Sequence, residues 1–105
     1  MAMLGVSHTT PEGKQFAIEI LKHMNDKCDE WNAENNIGFS LYSTPLESTT
    51  YKFATALQKR FGIIEGITDH DYVTNSYHVC VREPIDAFSK LSIEGEFQKY
   101  SLGGF

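Results

Sequence analysis

Ile37-Gly38-Phe39-Ser40-Leu41-Tyr42-Ser43-Thr44-Pro45-Leu46-Glu47 is the stretch on which the expected fold turns. Ile37, Phe39 and Leu41 alternate with Gly38, Ser40 and Tyr42, the period-two pattern of a strand with one apolar face. Thr44-Pro45-Leu46-Glu47 then carries a helix-start signal. The threonine hydroxyl caps a free amide three residues on, and the glutamate reaches back to the cap. Leu46, Thr50, Phe53, Leu57 and Phe61 form the apolar side of that helix. Lys59 and Arg60 suit its negative C-terminal end, and Gly62 stops it.

Upstream, Thr9-Thr10-Pro11-Glu12 joins a capping hydroxyl, a proline at the first helical position and an early carboxylate. Phe16, Ile20, Met24, Lys27 or Cys28, and Trp31 follow at helical spacing as a buried stripe, and Asn35-Asn36 accepts the left-handed turn that ends it. Downstream, Tyr77, Val79 and Val81 alternate with Ser76, His78 and Cys80, which predicts a second strand within 72–81. Glu83-Pro84 opens a third helical pattern through Ile85, Phe88 and Leu91, continuing weakly toward Phe97 and Tyr100. The order is α-β-α-β-α. That alternation predicts an α/β fold, helices packed on a small sheet, as a single unit over residues 1–105.

The chain has 105 residues, 41% of them hydrophobic, and a formal charge of −5. This is the range of one domain with a modest core. The acidic balance without a basic stripe argues against nucleic acid as a partner, since such contacts need cations to displace counterions. No apolar run approaches the ~20 residues that cross a bilayer, so no membrane is expected. Two cysteines far apart, Cys28 and Cys80, are too few for a disulfide framework and fit a reduced cytoplasmic chain.

Few residues suggest chemistry. His78 and Cys80 would share a strand face, yet two ligands do not make a zinc site, and no third group completes a nucleophile and base. Asp69-His70-Asp71 reads as a solvated turn, and Glu83, Glu94 and Glu96 as surface carboxylates. No catalytic residue and no metal ligand is assigned. Ser101-Leu102-Gly103-Gly104 is open to two readings, a phosphate-cradling nest of backbone amides or a flexible chain end.

Several separated segments carry a resemblance. Gly5-Val6-Ser7-His8-Thr9-Thr10-Pro11-Glu12-Gly13-Lys14, Ser43-Thr44-Pro45-Leu46-Glu47-Ser48-Thr49-Thr50, Lys59-Arg60-Phe61-Gly62, Thr74-Asn75-Ser76-Tyr77-His78 and Glu96-Phe97-Gln98-Lys99 stand here in family order. They resemble the catalytic subunit of the anaerobic (class III, glycyl-radical) ribonucleoside-triphosphate reductases. Ser43 departs from an expected glycine and Leu102 from an expected proline.

The resemblance implies an oxidoreductase that makes deoxyribonucleotides for DNA replication. It implies a glycyl radical, formate as reductant, zinc, ATP/dNTP effectors and a radical-SAM activase in the parent protein, with no cofactor in this chain. It further implies that the chain is a slice of a ten-stranded α/β barrel, inactive alone. Ser101, Gly103 and Gly104 would then approach the triphosphate of a ribonucleoside triphosphate substrate, and Asn75, Ser76 and His78 would line the nucleotide site. Uncovered strand edges and apolar faces predict self-association. A free-standing α/β protein-interaction module derived from the reductase is the other reading.

Overall fold

The computed structural model describes residues 4–43 and 47–103, and in these the chain is three helices joined by long irregular segments. They are α1, Pro11–Asn35, α2, Glu47–Phe61, and α3, Ala87–Gln98. Helix α1 begins as its sequence dictates. The Thr10 hydroxyl accepts the Gly13 amide at 3.2 Å, and Pro11 occupies the first turn. It ends at Asn36, left-handed at φ 52°, whose amide donates to the Asn32 carbonyl at 3.2 Å. Helix α2 stops at Gly62, φ +77°, with its amide on Gln58. The capping signal expected at Thr44 and Pro45 lies outside the described residues.

Among the described residues there is no strand, so the α/β expectation is corrected, as is the slice of a stranded barrel. The backbone groups that a ladder would pair go elsewhere. Phe39 is held at both its amide and its carbonyl by the Asn32 side chain of α1, and the Leu41 carbonyl accepts the Gly103 amide at 2.8 Å. In 72–81, Val79 N–H donates to the Glu94 carboxylate at 3.0 Å and Val81 N–H to the Tyr72 hydroxyl at 3.2 Å. Ser76 stands at φ +43°, which breaks any extended run. These backbone groups are satisfied by side chains and turns instead of by a ladder.

The third helix starts later than the sequence suggests. Glu83 is drawn away from it, accepting the hydroxyls of Ser7 at 3.1 Å and of Thr9. Asp86 is the cap instead, taking the amides of Phe88 and Ser89 at 3.0 Å and the Ser89 hydroxyl at 2.5 Å. Those bonds, the Ser89 hydroxyl foremost, hold the Asp86 carboxyl below its ordinary value. A depressed carboxyl contributes stability at neutral pH and loses it as pH falls through its folded-state value. The Ser89 amide resonance should therefore titrate with an acid midpoint below that of an ordinary aspartate. In Asp86→Asn, which keeps the accepting oxygen, that titration should vanish; its persistence would place the acid response at another carboxylate.

The core is small: Ile18 of α1, Ala54 of α2, Val79, and Phe97 of α3. No two helices pack along their lengths among the described residues. The accessible surface is 7504 Å², against about 5900 Å² expected for a compact chain of this mass. The radius of gyration, 15.4 Å, exceeds the ~13 Å of a compact domain of this length. The expected stripes are accordingly open. Ile20, Met24 and Trp31 on α1 and Phe53 and Phe61 on α2 are exposed, and the apolar extremes are Phe88 at 87%, Ile63 at 78% and Val81 at 76%. Such surface marks an interaction face. No helix among the described residues is long and apolar enough to cross a membrane.

Candidate functional site

Two cavities meet at the segment 74–78. The first, about 360 Å³, opens against one side of α1. Ala17, Ile20, Leu21 and Met24 form its apolar floor, with Leu41 opposite. Its polar rim is His8, Ser43, Ser76 and Ser101. The second, about 410 Å³, lies between that segment and α3, and includes Thr50, Asn75, His78, Lys90 and Glu94. Thr74 lines both.

The expected site residues are thus divided. Ser76 and Ser101, 25 positions apart in the sequence, converge on the first cavity, while Asn75 and His78 line the second. Gly103 lines neither, and Gly104 lies outside the described residues. Ser101 is buried, with its hydroxyl 2.6 Å from that of buried Ser43. Its place is fixed from α1, where Asn25 donates to the Tyr100 carbonyl at 2.7 Å and Lys22 stands over the Tyr100 ring. Gly103 is a glycine for steric reasons. A Cβ there would meet the Ser40 Oγ at 2.7 Å and the Leu41 carbonyl oxygen at 2.9 Å.

Two residues not expected at a site organise the segment, His8 and Glu94, the latter expected as a surface carboxylate and half-buried here. His8 donates from Nε2 to the Tyr77 carbonyl at 2.8 Å, because a carbonyl only accepts, and this fixes the neutral tautomer. Glu94 accepts the Val79 amide and lies 3.5 Å from His78 Nδ1 and 3.9 Å from Lys90. His78 and Cys80 take separate partners, since the Cys80 thiol lies 2.8 Å from the Tyr72 hydroxyl. That hydrogen bond, with burial, raises the Tyr72 phenol above its ordinary value. Glu94 precedes a glycine on an exposed helix, which gives it no sequence signature; His8 sits just before the α1 cap, and nothing in its spacing foretells the Tyr77 contact.

The Tyr77 hydroxyl is buried and has no hydrogen-bond partner among the described residues. Its ring stays useful, 5.7 Å from Phe97 and 5.5 Å from His78. An unpaired buried hydroxyl costs roughly 1–3 kcal/mol. Tyr77→Phe should therefore raise the thermal midpoint by several degrees, about what 1 kcal/mol gives at this size. A lowered midpoint in calorimetry would mean that the hydroxyl is bonded in solution.

The Asp69-His70-Asp71 turn behaves as expected of solvated charge. Asp69 accepts the Gly66 amide, which lowers its carboxyl, and Asp71 pairs with Arg82 at 2.8 Å. Among the described residues no group of three or more His, Cys, Asp and Glu side chains comes together to hold a metal ion.

The family model for anaerobic ribonucleoside-triphosphate reductase matches residues 1–105, and the chain belongs to that family. It is 38% identical over 92 residues to the anaerobic ribonucleoside-triphosphate reductase of Haemophilus influenzae, covering 88% of this chain and 13% of that protein. The reductase of Enterobacteria phage T4 is 37% identical over 92 residues, 88% of this chain and 15% of its own length. That of Escherichia coli is 35% identical over 88 residues, 84% and 12%. The chain thus spans between about an eighth and a seventh of the relatives it matches.

Proposed function

We propose that this chain is a segment of an anaerobic ribonucleoside-triphosphate reductase, an oxidoreductase of deoxyribonucleotide synthesis, and that its first cavity forms part of the wall that receives the nucleotide. The observation that carries the site is the convergence of Ser76 and Ser101 with His8 on one apolar hollow. Segments far apart in the sequence meet there around a hollow that stays open. Membership of the family supports the chemistry. Asn75 and His78, in the second cavity, support the segment from behind.

In this reading the chain positions and does not react. Neither Cys28 nor Cys80 lines the first cavity. The glycyl radical, formate, the zinc site, the ATP/dNTP effector sites and the activase belong to the parent protein. When present, the radical supplies the hydrogen-atom chemistry. This chain's residues hold the substrate edge, and the exposed apolar faces of α2 and α3 pack on the remainder of the parent or, in isolation, on a second copy.

The test uses the reductase that carries this segment, assayed anaerobically for deoxynucleotide formation with its activase and formate. Ala17→Leu fills the hollow from α1 without harming helix propensity. It should raise KM for the ribonucleoside triphosphate about tenfold with kcat within about threefold. Unchanged KM with a filled cavity would remove the site assignment. Turnover by the 105-residue chain alone would overturn its purely positional role.

A further inference from the structure

Resting on the nucleotide reading of the first cavity, we infer that this hollow takes the uncharged nucleoside part of the ligand and that the phosphates lie outside it. Two groups of the expected phosphate nest are already engaged. The Gly103 amide is spent on the Leu41 carbonyl at 2.8 Å, and the glycine is required there by close approach to Ser40 and Leu41. Ser101, the hydroxyl of that nest, is bonded to Ser43.

The lining has the wrong electrostatics for a polyanion. Among the described residues no lysine or arginine lines the cavity. The residues outside the described ones, 1–3, 44–46 and 104–105, contain no lysine or arginine in sequence. The nearest α1 cations are engaged: Lys14 pairs with Glu96, and Lys22 covers Tyr100. A triphosphate would enter a lining without cations on a chain of net charge −5. Phosphate recognition ordinarily recruits Arg, Lys or a set of free backbone amides.

What the lining offers suits a neutral ligand with hydroxyl and amide edges. In the Ser43–Ser101 pair one hydroxyl donates to the other, so the accepting serine keeps its own proton to give away. With Nε2 of His8 donating to Tyr77, Nδ1 of the neutral ring is left as an acceptor. Ser76 adds an exposed hydroxyl that both donates and accepts. The apolar floor of Ala17, Ile20, Leu21 and Met24 receives a planar ring face, the composition general to small-molecule pockets.

The test is an amide NMR titration of the 105-residue chain with three probes: a free ribonucleoside, its 5′-triphosphate and inorganic tripolyphosphate. The expected result is that nucleoside and triphosphate shift His8, Ser76 and Tyr77 with dissociation constants within about threefold of each other. Tripolyphosphate should shift none of them, and Ala17→Leu should weaken nucleoside binding at least about tenfold. A triphosphate bound at least about tenfold tighter than the nucleoside, and displaced by tripolyphosphate, would overturn the inference and leave the nucleotide site standing. No shift at these residues with nucleoside or triphosphate would remove the nucleotide reading itself, and this inference with it.

Discussion

Phe97→Ala should leave the chain without a cooperative fold at room temperature. Phe97 is 0% exposed and has the largest side chain that is fully enclosed among the described residues. Its ring lies 5.8 Å from that of His8 and 5.7 Å from that of Tyr77, so one side chain on α3 seats both the N-terminal loop and the segment 74–78. Truncating a buried Phe costs about 3–5 kcal/mol, because the transfer term and the cavity term add. Domains near this length begin at about 5 kcal/mol of total stability, and a chain with four buried apolar residues among those described belongs at that end. The loss therefore consumes most of what holds it. Urea unfolding followed by near-ultraviolet circular dichroism should show no native baseline. Phe88→Ala, on a side chain 87% exposed, should move the curve by no more than about 0.5 kcal/mol. If the two variants unfolded alike, the core would not be centred on Phe97.

What the sequence made legible was local. Thr10, Asn36 and Gly62 mark helix ends because a cap or a left-handed turn is decided by one residue and its neighbours within four positions. The alternations at 37–42 and 72–81 were misleading because a strand is not a local object. It exists only when another backbone supplies a ladder, and here Asn32, Glu94 and the Tyr72 hydroxyl took the groups first. The α1 stripe was real as a pattern, yet Ile20 and Met24 face a hollow and Trp31 is covered only in part by Phe39, 5.8 Å away and edge-on. Periodicity identifies an apolar face, and says nothing about which surface covers it.

The site was legible to the same degree. Ser76 and Ser101 were singled out and do converge on one hollow, but the pairing of Ser101 with Ser43 spans 58 positions and leaves no trace in local spacing. The same glycine that suggested a phosphate nest proves to be a close-approach residue. Family likeness along several motifs indicated membership without indicating which side chains meet, and the all-helical arrangement of the described residues is not what that likeness implied.

Gly13→Ala should destabilise the chain, against the usual direction for a helix. In an ordinary helix interior, alanine gains about 0.5–1 kcal/mol over glycine. At Gly13 the added Cβ would stand 2.1 Å from the Ser7 carbonyl oxygen, 2.7 Å from the Ser7 carbonyl carbon and 3.0 Å from the His8 Cα. All three are backbone atoms, so no rotamer change relieves the contact. The loop must move off α1, and it is held there by several bonds at once. Ser7 gives its carbonyl to the Thr10 amide at 3.1 Å and to the Thr10 hydroxyl at 2.8 Å, and its own hydroxyl to Glu83. Displacing it breaks the α1 cap, releases Glu83 and pulls His8 from Tyr77, so the site loses one wall. Overpacking of this kind costs typically about 1–3 kcal/mol, and more where backbone must shift. Set against the helix gain, a net loss of about 2 kcal/mol or more is expected. The measurement is a urea midpoint together with the Tyr77 and Ser76 amide shifts. A loop that had merely been displaced would show both the lower midpoint and the changed shifts. A Gly13→Ala chain more stable than its parent would mean that the Ser7 carbonyl does not rest on α1 in solution, and the His8 wall of the cavity would fall with it.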